Sequence, residues 1–82
     1  MNWKETEKSL EVELKFKDFR RAFAFMAEVA MEAERMNHHP TWTNTYNTVS
    51  FILQTHDSGY TVTDKDRKLA KKIEEVYKNY ES

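Results

Sequence analysis

Three histidines are the residues best suited to chemistry in this chain of 82 amino acids. Two are adjacent, His38 and His39, in the stretch Asn37-His38-His39-Pro40; the third, His56, lies in Gln54-Thr55-His56-Asp57. Imidazole titrates near neutrality, so one ring can donate a proton while another accepts one. A cleft with two or three such rings, and carboxylates to orient them, meets the requirement for a dehydration: a leaving hydroxyl is protonated and a proton is removed elsewhere. Trp42 and Tyr46 stand close enough in sequence to wall a flat heterocycle, and equally to join the core. Two other readings compete. Histidines near a helix end interact favourably with the helix dipole by roughly 0.3–1 kcal/mol and need no further role. Three imidazoles could also bind zinc and leave one position open for water. The spacing argues against a metal, because adjacent side chains of an extended segment point to opposite faces and no two histidines stand at i, i+4.

Positioning these groups is the task of a short list of elements. Leu10, Val12, Leu14 and Phe16 alternate with Glu11, Glu13 and Lys15, which predicts a half-buried strand. The segment Met1 to Glu7 supplies a short partner strand, with Lys8 and Ser9 near the turn. Asp18 reads as an N-cap. After it, Phe19, Ala22, Phe23, Met26, Val29, Ala30, Ala33 and Met36 recur at helical spacing, predicting an amphipathic helix over 19–36. Pro40 forces His39 away from helical angles, and Asn37 tolerates a left-handed cap, so the histidine pair falls at a helix C-terminus. Thr41 to Thr45 adds a short strand. In the next one, Val49, Phe51, Leu53 and Thr55 share a face opposite Ser50, Ile52, Gln54 and His56. Asp57-Ser58-Gly59-Tyr60 is a turn. Thr63 caps a last helix over 64–80, with Leu69, Ala70, Ile73, Val76, Tyr77 and Tyr80 on its buried side and Asp66 in the place of a capping-box glutamate. Strands joined by short turns, with helices returning over one face, predict an α+β two-layer sandwich with an antiparallel sheet, in a single domain over 1–82.

Composition bounds the rest. Apolar residues make up 39% and charged residues 33%, with a formal net charge of −1. Nucleic-acid binding needs clustered Lys and Arg. The one basic run, Lys65 to Lys72, reads as a solvated helix face, so no nucleic-acid partner is expected. The chain has no cysteine, which excludes disulfides and thiolate ligands. No apolar run approaches the roughly 18–20 residues that span a bilayer, so no membrane association is expected and the cytoplasm is the default location. A copy of the chain is an expected partner, through the apolar stripe of the last helix or an open sheet edge, giving a homodimer or homotetramer.

The motif Glu34-x-x-Asn37-His38-His39-Pro40-x-Trp42, then Tyr46-Asn47-x-Val49, then Thr55-His56-Asp57, then Asp66-x-x-Leu69-Ala70, resembles that of the pterin-4a-carbinolamine dehydratases. In animals these are also known as the dimerization cofactor of a hepatocyte nuclear factor. The similarity runs from Trp3 to about Val76. The resemblance implies a four-stranded antiparallel sheet with helices on one face. It implies elimination of water from a 4a-hydroxytetrahydropterin to give a quinonoid dihydropterin, recycling tetrahydrobiopterin-type cofactor after a pterin-dependent aromatic amino-acid hydroxylase has acted. Its implied catalytic residues are His38, His39, His56, Glu34 and Asp66; its implied substrate contacts are Asn37, His38, His39, Gln54, Thr55, His56 and Asp57, to which the residue chemistry above adds Trp42 as a wall. The pterin is substrate, and neither cofactor nor metal is implied. His38 is expected to protonate the leaving hydroxyl, oriented by Glu34 one turn earlier, while His56 or His39 takes the proton from N5. The alternative is a non-catalytic dimerisation or transcription-coactivator role.

Three departures bear on this. Asn37 stands where the family often has Asp or His, and an amide cannot share a proton. The turn before the last helix is one residue longer than usual, so the acidic role falls on Asp66 rather than Asp64 through the Leu69-Ala70 pair that follows. Longer members carry a helix before the position of Trp3.

Overall fold

A computed structural model describes residues 1–56 and 59–80. Four strands and two helices follow in the order β1 (Lys4–Glu5), β2 (Leu10–Lys15), α1 (Phe19–Met36), β3 (Thr41–Thr45), β4 (Thr48–Leu53) and α2 (Asp64–Tyr77). The strands form one antiparallel sheet in the order β1-β2-β4-β3. This is the α+β arrangement expected from the sequence. α1 carries the chain from β2 to β3 and leaves a slot that β4 fills.

Period-two patterning decides which sheet face is covered. β2 and β4 pair with Leu10 opposite Leu53, Val12 opposite Phe51 and Leu14 opposite Val49. All six are buried, packed with Ala22, Phe25, Val29 and Ala33 of α1 and Leu69, Ala70 and Ile73 of α2. The alternate residues Glu13, Lys15 and Ile52 stay exposed.

Both termini of α1 follow from local chemistry. Asp18 is extended, and its Oδ1 accepts from the Arg21 backbone N–H at 2.9 Å. At the other end Asn37 adopts the left-handed conformation (φ 53°, ψ 41°). The His38 N–H then closes back on the Ala33 carbonyl at 3.0 Å, a Schellman-type stop that fixes where the histidine pair begins.

The buried stripe of α1 differs from the expected one. Phe25, absent from that stripe, is fully buried; Phe19 and Phe23 are exposed, Phe23 at 59%. At about 100° per residue, Phe23 and Ala30 lie some 80–100° round the axis from Ala22, past the edge of the covered arc. Phe25 instead sits among Phe16, Phe51, Tyr77 and Tyr80, with ring centroids 4.9–5.9 Å away. α2 also ends earlier than expected, at Tyr77, although Tyr80 still packs on the core. The stripe of α2 expected to meet a second copy is spent within the chain itself, since Leu69, Ala70 and Ile73 are buried against the sheet and α1.

Tyr46 and Asn47 form the two-residue turn between β3 and β4, with Tyr46 left-handed at φ 50°. Asn47 ties this turn to the end of β2, donating from Nδ2 to the Phe16 carbonyl at 3.0 Å while its own carbonyl accepts from the Phe16 N–H at 2.8 Å. The Tyr-Asn pair of the sequence motif is therefore scaffold.

Truncating Phe25 to Ala is expected to cost about 3–5 kcal/mol. The same change at Phe23 is expected to cost under about 0.5 kcal/mol. Urea unfolding of both variants checks this, and equal losses would contradict the packing. The Asp18 carboxyl is held below its ordinary value, first by the Arg21 backbone N–H and then by the charges of Arg21 and Arg20. A depressed folded value contributes stability above the unfolded value, lost as pH falls through the folded one. The gap in melting temperature between wild type and Asp18→Ala is thus expected to be open at neutral pH and to narrow below about pH 4.

Candidate active site

The end of α1, the end of β4 and the start of α2 converge on one buried carboxylate. Asp66 is fully buried in the first turn of α2. Its Oδ2 accepts from the Thr63 backbone N–H at 2.9 Å, the capping contact expected from the sequence. The same oxygen accepts from the Thr55 hydroxyl at 2.8 Å. Its Oδ1 lies 2.6 Å from His38 Nε2. The cap and the site are one residue. A backbone N–H can only donate, so Oδ2 is an acceptor; a carboxylate here makes His38 Nε2 the donor and leaves Nδ1 as the nitrogen free for chemistry.

His39 takes a different partner. Its Nε2 lies 2.9 Å from Glu34 Oε1, and both side chains are well exposed, His39 at 58% against 11% for His38. Glu34 was expected to orient His38; the left-handed turn at Asn37 sends His38 inward to Asp66 and leaves the outward His39 to Glu34. Adjacent side chains diverge, as extended geometry requires. Both nevertheless border the same cleft.

That cleft measures about 260 Å³ and is lined by Asn37, His38, His39, Thr55, His56 and Lys65. The three histidines therefore meet. His56 is exposed, and its ring rests on Tyr60 with centroids 4.8 Å apart. Tyr60 is left-handed at φ 59°, an uncommon conformation for an aromatic residue and one that recurs at functional sites. Of the other expected substrate contacts, Gln54 donates to the Lys8 carbonyl at 3.2 Å, and Trp42 packs on Phe51 with centroids 5.6 Å apart. Neither lines the cleft. Thr55 lines it but is buried, its hydroxyl engaged by Asp66. Asp57 lies outside the described residues.

Lys65 and Tyr60 were not foreseen. Lys65 belongs to the basic run read as solvated, and no periodicity separates a first-turn lysine facing a cleft from one facing water. Tyr60 carried only its place after Gly59. A second groove, about 360 Å³, runs between β1 and α2. It holds no imidazole, and Arg67 pairs with Glu5 at 2.9 Å while Trp3 Nε1 donates to Glu74 at 3.1 Å. Among the described residues, no group of three or more His, Cys, Asp or Glu side chains is arranged to hold a metal ion, and no helix is long and apolar enough to cross a membrane.

Fold and cleft together define a small α+β domain with a histidine-lined cleft backed by a buried carboxylate. The family model for pterin 4 alpha carbinolamine dehydratase matches residues 1–76, and the chain belongs to that family. A putative pterin-4-alpha-carbinolamine dehydratase of Opitutus terrae is 45% identical over 74 residues, 90% of this chain and 76% of the relative. One from Rhodospirillum rubrum, with the same description, is 54% identical over 61 residues, 74% of this chain and 62% of the relative. The crystal structure of a transcriptional coactivator/pterin dehydratase from Brucella melitensis superposes with a TM-score of 0.86 at 41% identity, covering 90% of this chain and 80% of that one.

Removing the buried carboxylate leaves His38, Thr55 and the Thr63 N–H without their acceptor, so Asp66→Ala is expected to cost about 1–3 kcal/mol of stability. Glu34→Ala breaks an exposed pair and is expected to cost under about 1 kcal/mol. Denaturant titrations rank the two, and a larger loss from Glu34→Ala would contradict the assignment.

Proposed function

We propose that this chain dehydrates a 4a-hydroxytetrahydropterin to the quinonoid dihydropterin by histidine acid–base catalysis. The observation that carries the reading is the His38–Asp66 pair in the wall of a cleft that also presents His39 and His56, in a chain of this family. Asp66 fixes the ring through Nε2, so His38 presents Nδ1 to the substrate. The doubly protonated ring delivers the Nδ1 proton to the 4a-hydroxyl, the C4a–O bond breaks and water leaves. The N5 lone pair forms the C4a=N5 bond as the N5 proton passes to His56 or His39. One proton is given and one taken, so the site is restored after the two rings re-equilibrate with solvent. The substrate's own nitrogen expels the hydroxyl, and the step calls for no cofactor. Asn37, at the cleft edge, offers its amide to the pterin rim. A tetrahydrobiopterin-type substrate supplied by an aromatic amino-acid hydroxylase, a cytoplasmic setting and a homo-oligomer complete the proposal.

A second reading has one observation in its favour. Phe19, Phe23 and Met31 are exposed on α1, and the Brucella relative is described as a coactivator as well as a dehydratase. On that reading this face of α1 serves a protein partner, and the cleft does no chemistry.

The test is stopped-flow absorbance on 4a-hydroxytetrahydropterin generated in situ by a pterin-dependent hydroxylase. The wild type is expected to accelerate its decay, and His38→Ala to lose about 10²–10⁴-fold of that acceleration. A folded wild type without acceleration favours the second reading; a His38→Ala variant at full rate removes His38 from the mechanism.

A further inference from the structure

We propose that Thr55 is a positioning residue for His38, acting through Asp66, and that Thr63 sets the direction of its hydroxyl. The proposal rests on the dehydratase reading for its kinetic consequences and on the hydrogen-bond network alone for its structural ones.

With Asp66 as a carboxylate, the network admits one ordering of protons. Asp66 Oδ2 accepts from the Thr63 backbone N–H at 2.9 Å and from the Thr55 hydroxyl at 2.8 Å. The two threonine hydroxyl oxygens are 2.7 Å apart. A hydroxyl has one hydrogen, and Thr55 spends its own on the carboxylate. The hydrogen between the two hydroxyls therefore belongs to Thr63, which donates to Thr55. The chain runs from the Thr63 hydroxyl to the Thr55 hydroxyl to Asp66 Oδ2. From the other side His38 Nε2–H reaches Oδ1 at 2.6 Å.

Two consequences follow. Thr55 has no hydrogen left for a substrate, and it is buried. Its place in the cleft wall thus reflects support of the carboxylate, rather than the substrate contact implied by the family resemblance. The carboxylate is also held from both edges: Oδ2 is clamped by β4 and the cap of α2, so Oδ1 is presented to His38 in one orientation. The backbone keeps that clamp in register. The Thr55 N–H donates to the Thr61 carbonyl at 2.9 Å, which brings the end of β4 alongside the approach to α2. Because the imidazole's Nδ1 direction is set by the bond at Nε2, loosening Oδ2 reaches the reacting nitrogen through two covalent groups and one hydrogen bond.

The test compares Thr55→Val, which keeps the shape and deletes the hydroxyl, with Thr55→Ser, which keeps the hydroxyl. The expected result for Thr55→Val is a fall of about tenfold in kcat, the effect of losing one hydrogen bond to a charged group. KM is expected to stay within about twofold, because the interaction lost is not with substrate. Thr55→Ser is expected to restore kcat. In parallel, the His38 Nε2 proton of the substrate-free protein is followed by nuclear magnetic resonance. It is expected to be observable in wild type and Thr55→Ser, and to exchange too fast to see in Thr55→Val. A raised KM with unchanged kcat would make Thr55 a substrate contact and overturn the proposal, as would an unchanged kcat with an unchanged His38 signal. If the wild type proves not to be a dehydratase, the resonance comparison alone decides. If Thr55→Val fails to fold, Thr63→Val removes only the upstream donor and keeps the backbone N–H. It is then expected to weaken the His38 Nε2 signal, and no change there overturns the proposal.

Discussion

Asp66 is buried completely, and a carboxylate taken out of water must find its compensation inside the fold. It finds three hydrogen-bond partners: an imidazole just past the end of α1, a hydroxyl just past the end of β4, and the Thr63 backbone N–H at the cap of its own helix. These partners come from three segments of the chain, which meet at one point. That point is the floor of the histidine cleft. The demand of one buried charge therefore does the work that a larger core would do in a larger domain, fixing how α2 enters relative to α1 and β4.

The remaining architecture makes the meeting possible. A chain of this size buries a thin core. Phe25 stands at its centre, ringed by aromatic side chains from β4, α2 and the strand exit. Tyr80 anchors the far end of α2 by donating to Glu28, and this bond, with some burial, pushes its hydroxyl up to about 12. The end of α2 near Tyr80 is thus tied to α1 at Glu28, while its start is tied at His38 through Asp66. The two imidazoles of the pair acquire different characters from this frame. His38 is enclosed and held by a buried partner; His39 is open to water and held by an exposed one. On the proposed mechanism, His38 is the ring held for proton delivery and His39 is a ring free to exchange with solvent.

Much of this was legible in the residue order because the relevant signals are local. Period-two alternation marked β2 and β4, and helical spacing with Asp18 and Asn37 at its ends marked α1 to the residue. The Thr63–Asp66 cap was legible for the same reason, whereas the grouping of His56 with His38 and His39 was implied by the family resemblance alone. What escaped depends on tertiary geometry. The apolar arc of α1 is wider than the arc the sheet and α2 cover, so periodicity alone could not tell Phe25 from Phe23. The partner of each histidine was set by the left-handed turn at Asn37, which gave His38 to Asp66 and left Glu34, expected to orient His38, to His39. Trp42 and Gln54 flank the cleft in sequence but face Phe51 and Lys8. Lys65 entered the cleft wall because of where α2 starts, which no feature of a basic run reveals.

The central claim is that His38 and Asp66 act as one unit in proton delivery to the leaving hydroxyl. A double-mutant cycle on the dehydration rate tests it most directly, using His38→Ala, Asp66→Asn and the pair together. Residues that act as a unit are strongly non-additive. The account predicts that Asp66→Asn slows the wild type markedly and adds nothing once His38 is gone, so the double variant matches His38→Ala. Two full and independent losses that multiply in the double variant would show that Asp66 serves catalysis by another route, and would contradict the account.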